Sequence, residues 1–218
     1  MAYHGYVPFI SKYARDISKT FNKKPKILEI GVDTGISLFA LHNNLSLLDV
    51  QFEYTGVDIK IQEHIKQMNY MFFRIGETKI DLKEINSLRY LEDMSDSGNV
   101  KFDIIMIDGD HNYHTVSKEC HFISNLIHKD TLLVFDDYTG KYESEDLFYA
   151  DLENYKGNNL ATKKVLTKKT GVKTAIDEFL SKNKNLMGFK LIQGEPLVVI
   201  DKENTIWKKE NPQGIDLV

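Results

Sequence analysis

The sequence predicts an α/β fold: a mostly parallel sheet with helices on both faces, closed near its C-terminal end by an antiparallel hairpin. Three observations carry this expectation. Ile104-Ile105-Met106-Ile107 is apolar with no polar alternation, the mark of a strand covered on both faces. Thr131-Leu132-Leu133-Val134-Phe135 repeats the pattern, and both runs stop in acids, Asp108-Gly109-Asp110-His111 and Asp136-Asp137-Tyr138. Phe189-Lys190-Leu191-Ile192 and Leu197-Val198-Val199-Ile200 are separated by a Gly194-Glu195-Pro196 turn with no helix between them, so they pair antiparallel.

Taken in order, the chain begins with a helical segment over residues 1–25. Phe9, Tyr13, Ile17 and Phe21 recur every four residues, the spacing of an amphipathic helix. It could cover a sheet edge, roof the active site or pair with a second copy in a homodimer. After Pro25, Lys26-Ile27-Leu28-Glu29-Ile30 reads as the first buried strand. It runs into Gly31-Val32-Asp33-Thr34-Gly35 and a helix from Ile36. Strand, glycine turn and helix in that order bring backbone amides and a helix N-terminus against a ligand. Phe52 to Asp58 is a second strand, and its terminal acid follows the glycine turn by roughly 20 residues, the spacing of a carboxylate that binds ribose hydroxyls. A helix cap is the plainer alternative for Asp58.

Tyr70-Met71-Phe72-Phe73-Arg74-Ile75 reads as the third strand, and Ile80 to Met94 as a helix with Ile80, Ile85, Leu88 and Leu91 near one face. The first acid-tipped strand follows. Val116, Cys120, Ile123 and Ile127 then mark a helix leading to the second. Residues 139–170 lose the alternation and hold Tyr142, Phe148, Tyr149 and Tyr155, as a lid or substrate loop would. Lys163, Lys164, Lys168 and Lys169, with Lys173, make a local basic run, either a solvated face or a cradle for an anionic substrate. Gly171 to Leu180 is a further helix. The tail from Lys202 is polar, with Trp207 placed to pin it.

The totals bound the function. A chain of 218 residues is read as one domain. A net charge of −4 disfavours a general nucleic-acid binder. One cysteine, Cys120, excludes an internal disulfide framework and fits a reducing cytoplasm, where it reads as core filler. No apolar run reaches membrane-spanning length, so no membrane partner is expected. Ligands of open α/β sheets bind at the carboxyl ends of strands, and two strands ending in acids suggest a site for a hard cation.

Five strands alternating with helices and closing in a hairpin make seven. This order resembles the Rossmann-like class I S-adenosylmethionine-dependent methyltransferases. Within them it is most similar to the family of macrolide and aminocoumarin sugar O-methyltransferases and cephalosporin-hydroxylase-like proteins. Leu28-Glu29-Ile30-Gly31 with Gly35, Ile107-Asp108-Gly109-Asp110-His111, Phe135-Asp136-Asp137-Tyr138 and Gly171-Val172-Lys173-Thr174-Ala175 carry the resemblance. It implies that Glu29, Gly31, Val32 and Gly35 shape the pocket for the methionine end of S-adenosyl-L-methionine, that Asp58 binds its ribose and that Asp108 borders it. It implies that Asp108, Asp136 and Asp137 hold magnesium, and that the base is Asp110 or His111. Asp33 stands where the broader pattern has a glycine.

Between the two candidate bases, an unshifted imidazole is mostly neutral at pH 7, whereas a carboxylate is a weak base, which favours His111. Their side chains should diverge, leaving Asp110 to orient the imidazole or reach the metal through water. The resulting expectation is a magnesium-dependent O-methyltransferase for a hydroxyl of a small molecule such as a sugar or polyol. A nicotinamide dehydrogenase lacks its GxGxxG turn here. An inactive cofactor-binding module would have no use for clustered carboxylates, and nucleic-acid methylation conflicts with the net charge.

Overall fold

The computed structural model describes residues 6–67, 78–191 and 196–210. Its seven strands form one sheet in the order β3-β2-β1-β4-β5-β7-β6. They are β1 (Lys26–Ile30), β2 (Glu53–Asp58), β3 (Lys79–Glu84), β4 (Ile104–Ile107), β5 (Leu132–Phe135), β6 (Leu186–Lys190) and β7 (Leu197–Asp201). β1 to β5 are mutually parallel, and β7 runs antiparallel to both β5 and β6. The strand order reverses between β1 and β4, which opens a crevice at their carboxyl ends.

Side-chain alternation along the buried strands divides the core into two layers. Ile27, Ile104, Met106, Leu132 and Val134 face α1 (Val7–Phe21) and α2 (Ile36–Leu47). Leu28, Ile30, Ile105, Ile107, Leu133 and Phe135 face α3 (Ser87–Ser97), α4 (Tyr113–Ile123) and α5 (Val172–Lys182). This is why these strands read as continuous apolar runs. Each fully buried aliphatic side chain contributes about 1.5–3 kcal/mol. Cys120 is part of the second layer, as core filler.

The expected third strand at Tyr70–Ile75 lies outside the described residues. The helix expected from Ile80 is corrected: Lys79–Glu84 is β3, and the helix begins only at Ser87. Ile80 and Leu82 alternate with Asp81 and Lys83 and pack on the α1/α2 layer, a period of two that the spacing from Ile80 to Leu91 masked. The N-terminal helix covers one face of the sheet. The tail forms α6 (Thr205–Glu210), and Trp207 packs 4.4 Å from Phe189, centroid to centroid, so the pinning expected of it is present.

At the opposite edge from the acids, Asp103 ties the entry to the sheet together. Its buried carboxylate accepts from the Lys26 amide at 2.8 Å and from Lys23 Nζ at 2.6 Å, and lies 3.0 Å from His128 Nε2. Burial would push this carboxyl up, but His128, Lys23 and the Lys26 amide hold it below the usual range. Asp103→Ala is expected to cost about 1.5–3 kcal/mol in urea unfolding, because it removes the charge-assisted hydrogen bonds by which Lys23, the Lys26 amide and His128 are held to one carboxylate. A loss below the error of that measurement would show the network to be dispensable.

Candidate active site

Gly31 ends β1 in a left-handed turn with φ 90°. A Cβ there would lie 1.9 Å from the Asp108 carbonyl oxygen, so only glycine lets the β1 turn close on the end of β4. Asp33 also takes a left-handed conformation, with φ 42°, and so turns the chain where a glycine was expected. Asp58 then locks the turn: its Oδ2 accepts from the Val32 and Asp33 amides at 2.8 and 2.9 Å, and Oδ1 accepts from the Lys60 amide at 2.9 Å. Asp58 is therefore a tether of the turn as well as a wall of the cleft, with lone pairs left for a ligand. Burial raises its carboxyl, against the lowering by those three amides.

Glu29 does not reach the cleft. It is buried beneath the turn and accepts from the Ser37 hydroxyl at the start of α2 and from the Tyr54 hydroxyl on β2. Burial pushes its carboxyl up to about 8. Val32 likewise points into the core, and Gly35 is the left-handed residue preceding α2. Of the expected cofactor positions, Gly31, Asp58 and Asp108 line a cleft of about 570 Å³, together with Asp33, Gly109 and Asp110. Ile85, Asn86 and Ser87 from the end of β3 complete its far side, a contribution the sequence did not reveal.

The irregular segment after β5 is fastened over this cleft. The caps of α3 and α4 are Asn86 and Asn112, which accept from the Arg89 and Thr115 amides. Neither Asp108 nor Asp110 is used as a cap. The same asparagines hold the lid: Asn86 Nδ2 donates to the Leu160 carbonyl and Thr162 Oγ1, and Asn112 Nδ2 to the Leu147 carbonyl. Asn158 Nδ2 donates to the Ile59 carbonyl at 3.0 Å. Tyr149 and Tyr155, in edge contact at 5.1 Å, thereby become cleft walls.

Asp110 and His111 diverge, as expected of adjacent residues. Asp110 accepts from Thr115 Oγ1 at 2.9 Å and from the Tyr149 amide at 3.2 Å, so it anchors the lid and does not orient the imidazole. His111 Nε2 lies 2.9 Å from Asp137 and 3.4 Å from Asp108, and its ring stacks on Tyr142 with centroids 5.0 Å apart. Asp137 holds its carboxylate there from a left-handed backbone, φ 53°. Burial alone would lower the imidazole, but the two carboxylates raise it to about 10. The expectation of an unshifted imidazole is thus corrected: the two carboxylates favour its protonated form.

Asp108, His111 and Asp137 offer ligand atoms that all lie within 4.8 Å of one another. The expected trio differed by one member, Asp136 in place of His111. Asp136 is close by: burial, Asp108 and Asp137 push its carboxyl up to about 7. Crowded acids that raise one another are short of positive charge, and a divalent cation fits that deficit. Tyr6, the residue before α1, is also buried; burial and the charges of Asp108 and Asp136 raise its phenol. A phenol so far from Asp108 in sequence gave no earlier signal.

This fold and cleft define a class I S-adenosylmethionine-dependent methyltransferase. The chain belongs to the methyltransferase domain family, which matches residues 28–138, just over half of it. A comparison with curated protein sequences returns no match. Solved structures share the fold. The S-adenosylhomocysteine-bound Podospora anserina methyltransferase PaMTH1 is 16% identical, with a TM-score of 0.56 over 93% of this chain and 80% of that one. CalS11, a TDP-rhamnose 3′-O-methyltransferase of calicheamicin biosynthesis, is 13% identical, with a TM-score of 0.57 over 91% and 79%. MycE of the mycinamycin pathway, in complex with magnesium, S-adenosylhomocysteine and mycinamycin VI, is 16% identical, with a TM-score of 0.56 over 99% of this chain; the chain spans about half the length of MycE, 52%. Among the described residues no helix is long and apolar enough to cross a membrane.

Beneath the cleft, α4 carries a buried acid, Glu119. Its Oε1 accepts from Ser87 Oγ at 2.7 Å, and its Oε2 has no hydrogen-bond partner. Burial pushes this carboxyl up to about 8. The folded protein therefore binds this proton more tightly than the unfolded chain. Stability from Glu119 is full below about pH 4.5 and is lost as pH rises towards 8, by up to about 1.4 kcal/mol per pH unit. Glu119→Gln should flatten the pH dependence of unfolding between those limits. An unchanged slope would place the titration elsewhere.

Proposed function

We propose that the protein transfers a methyl group from S-adenosyl-L-methionine to a hydroxyl of a small molecule, a sugar or polyol, with a magnesium-like ion on Asp108 and Asp137. The observation that carries this reading is the convergence of Asp108, Asp137 and His111 directly beside the cofactor cleft, with Asp108 shared by both. PaMTH1 and MycE with bound S-adenosylhomocysteine, MycE with bound magnesium, and CalS11 with its sugar O-methyl activity support it as relatives in fold.

Bound there, the sulfonium cofactor supplies an electrophilic methyl and the cation acidifies and orients the acceptor hydroxyl. Everything else falls to the chain. Asp58 offers its remaining lone pairs to the ribose, while Tyr149 and Tyr155 exclude water from the cleft. Asp108 and Asp137 would hold the cation, and neutralising their charge would favour the neutral form of His111. It then accepts the hydroxyl proton as the oxygen attacks. Tyr142 fixes the plane of the ring. Asp110 keeps the lid on the cleft.

Two outcomes test this reading. In calorimetry, S-adenosylhomocysteine should bind and NADH should not; Asp58→Ala should weaken that binding by about 1–3 kcal/mol, the scale of a hydrogen bond to a charged group. NADH binding without S-adenosylhomocysteine binding would overturn the assignment. Turnover on a panel of sugars and polyols should vanish in EDTA and return with magnesium. His111→Ala should reduce it by about 10²–10⁴, the range for a general base, with cofactor affinity unchanged. Full turnover in EDTA would reject the metal role, and loss in Asp110→Asn with retention in His111→Ala would reverse the base.

A further inference from the structure

A cationic group flanks the acidic cluster on the side away from the cofactor, and the reaction above leaves it unused. The strand order sets three stations along the sheet's ligand edge. The cleft lies over the ends of β2, β1 and β4, and the acids follow at the ends of β4 and β5. Lys190 ends β6. Phe135 of β5 pairs with Leu197 of β7, and Leu197 pairs with Lys190, so this lysine lies in the same row as the residue before Asp136.

Tyr138 stands between, next to Asp137 in the chain. Lys173 Nζ lies 2.7 Å from its hydroxyl and 4.2 Å from its ring centroid, and Lys190 Nζ lies 5.7 Å from the same centroid. The Tyr138 hydroxyl itself donates to Asp177 at 2.8 Å. Two ammonium groups are thus held at one ring. Asp177, 3.3 Å from Lys173, offsets one charge, but no carboxylate among the described residues pairs with Lys190. Lys173 also lies in the first turn of α5, where the helix dipole disfavours a cation. Gly171 sets that turn: its φ is 84°, and a Cβ there would lie 2.2 Å from the Glu143 carbonyl oxygen. A cation placed against the dipole, beside a second with no carboxylate partner among the described residues, suits a bound anion.

We infer that Lys173 and Lys190, with the Tyr138 ring as floor, bind an oxyanion group of the acceptor, a phosphate or a carboxylate. Two strand spacings place it about 10 Å from the methylated hydroxyl. The word acceptor rests on the transferase reading; the anion site does not. The lysine run of residues 163–169 is the weaker alternative. Its Lys164 is paired with Asp151 at 2.7 Å and Lys169 with Glu178 at 2.5 Å, and its exposed Leu166 faces solvent.

The test uses ¹⁵N-labelled full chain with S-adenosylhomocysteine, titrated with inorganic phosphate and separately with acetate. Saturable shifts are expected at the Tyr138, Lys173 and Lys190 amides, for the source that matches. Lys190→Gln should weaken them about ten- to a hundredfold, the loss of one charge-assisted contact. The Lys163→Gln/Lys168→Gln double variant should leave them as they were. Absence of saturable shifts with either anion, or shifts insensitive to Lys190→Gln, overturns the site. In a second arm, a neutral sugar and its phosphate or uronate form are compared as acceptors. The charged form should be favoured in kcat/KM, and Lys190→Gln should abolish that preference. Equal turnover of both forms overturns the anion site and leaves the transferase reading intact. Absence of cofactor binding and of turnover rejects the transferase reading, while the phosphate titration still decides the cationic site.

Discussion

The site depends on one close approach, the backbone of Gly31 against the carbonyl of Asp108. It joins the glycine turn after β1 to the acidic end of β4 at the point where the strand order reverses. A side chain at position 31 would push the two strand ends apart, and the cleft would lose its shared wall. Because Asp108 borders the cleft and also faces His111 and Asp137, this contact sets the distance between the cleft and the His111–Asp137 cluster; in the proposed reaction these would hold the methyl donor and the acceptor. In a reaction governed by proximity, that distance is the main catalytic variable.

Burial supplies the second constraint. Glu29, Asp136 and Glu119 are all pushed up by desolvation, and His111 is raised as well, by the carboxylates around it and against its own burial. The protein therefore concentrates acids where water is scarce and offsets only part of the repulsion with its own groups. Glu29 is held by two hydroxyls beneath the turn. Asp108 and Asp137 share the His111 imidazole, and Asp136 stands beside them. Stability is lower than an apolar packing would give, as is usual where charge is stored for function.

The lid gives the chain a second use for residues that first appear to be helix caps. Asn86 and Asn112 begin α3 and α4 and fasten the segment after β5 to the far strands. Asp110, adjacent to the reacting imidazole, contributes to the same fastening through the Tyr149 amide. Tyrosines from one long loop are thereby placed on the cofactor cleft and on His111 at once. The walls of the cleft and the placement of His111 are coupled through a few hydrogen bonds and a ring stack.

By itself the sequence determined the sheet, its closing hairpin and the candidate atoms of the site. Strands buried on both faces need uninterrupted apolar runs, and acids at their carboxyl ends stand out against them. It erred at Ile80–Glu84, an edge strand whose alternation is too short to compete with helical spacing, and it could not rank the members of the acidic cluster. Tertiary structure alone decided that His111 sits between Asp108 and Asp137 while Asp110 turns to the lid. It also decided that Glu29 lies beneath the cleft and not in it, and that Tyr6 and Glu119 belong to the neighbourhood at all. Local sequence carries periodicity and turn chemistry; which side chains share a desolvated volume is set by strand order and register. That shared burial moves the pKa values on which the chemistry depends.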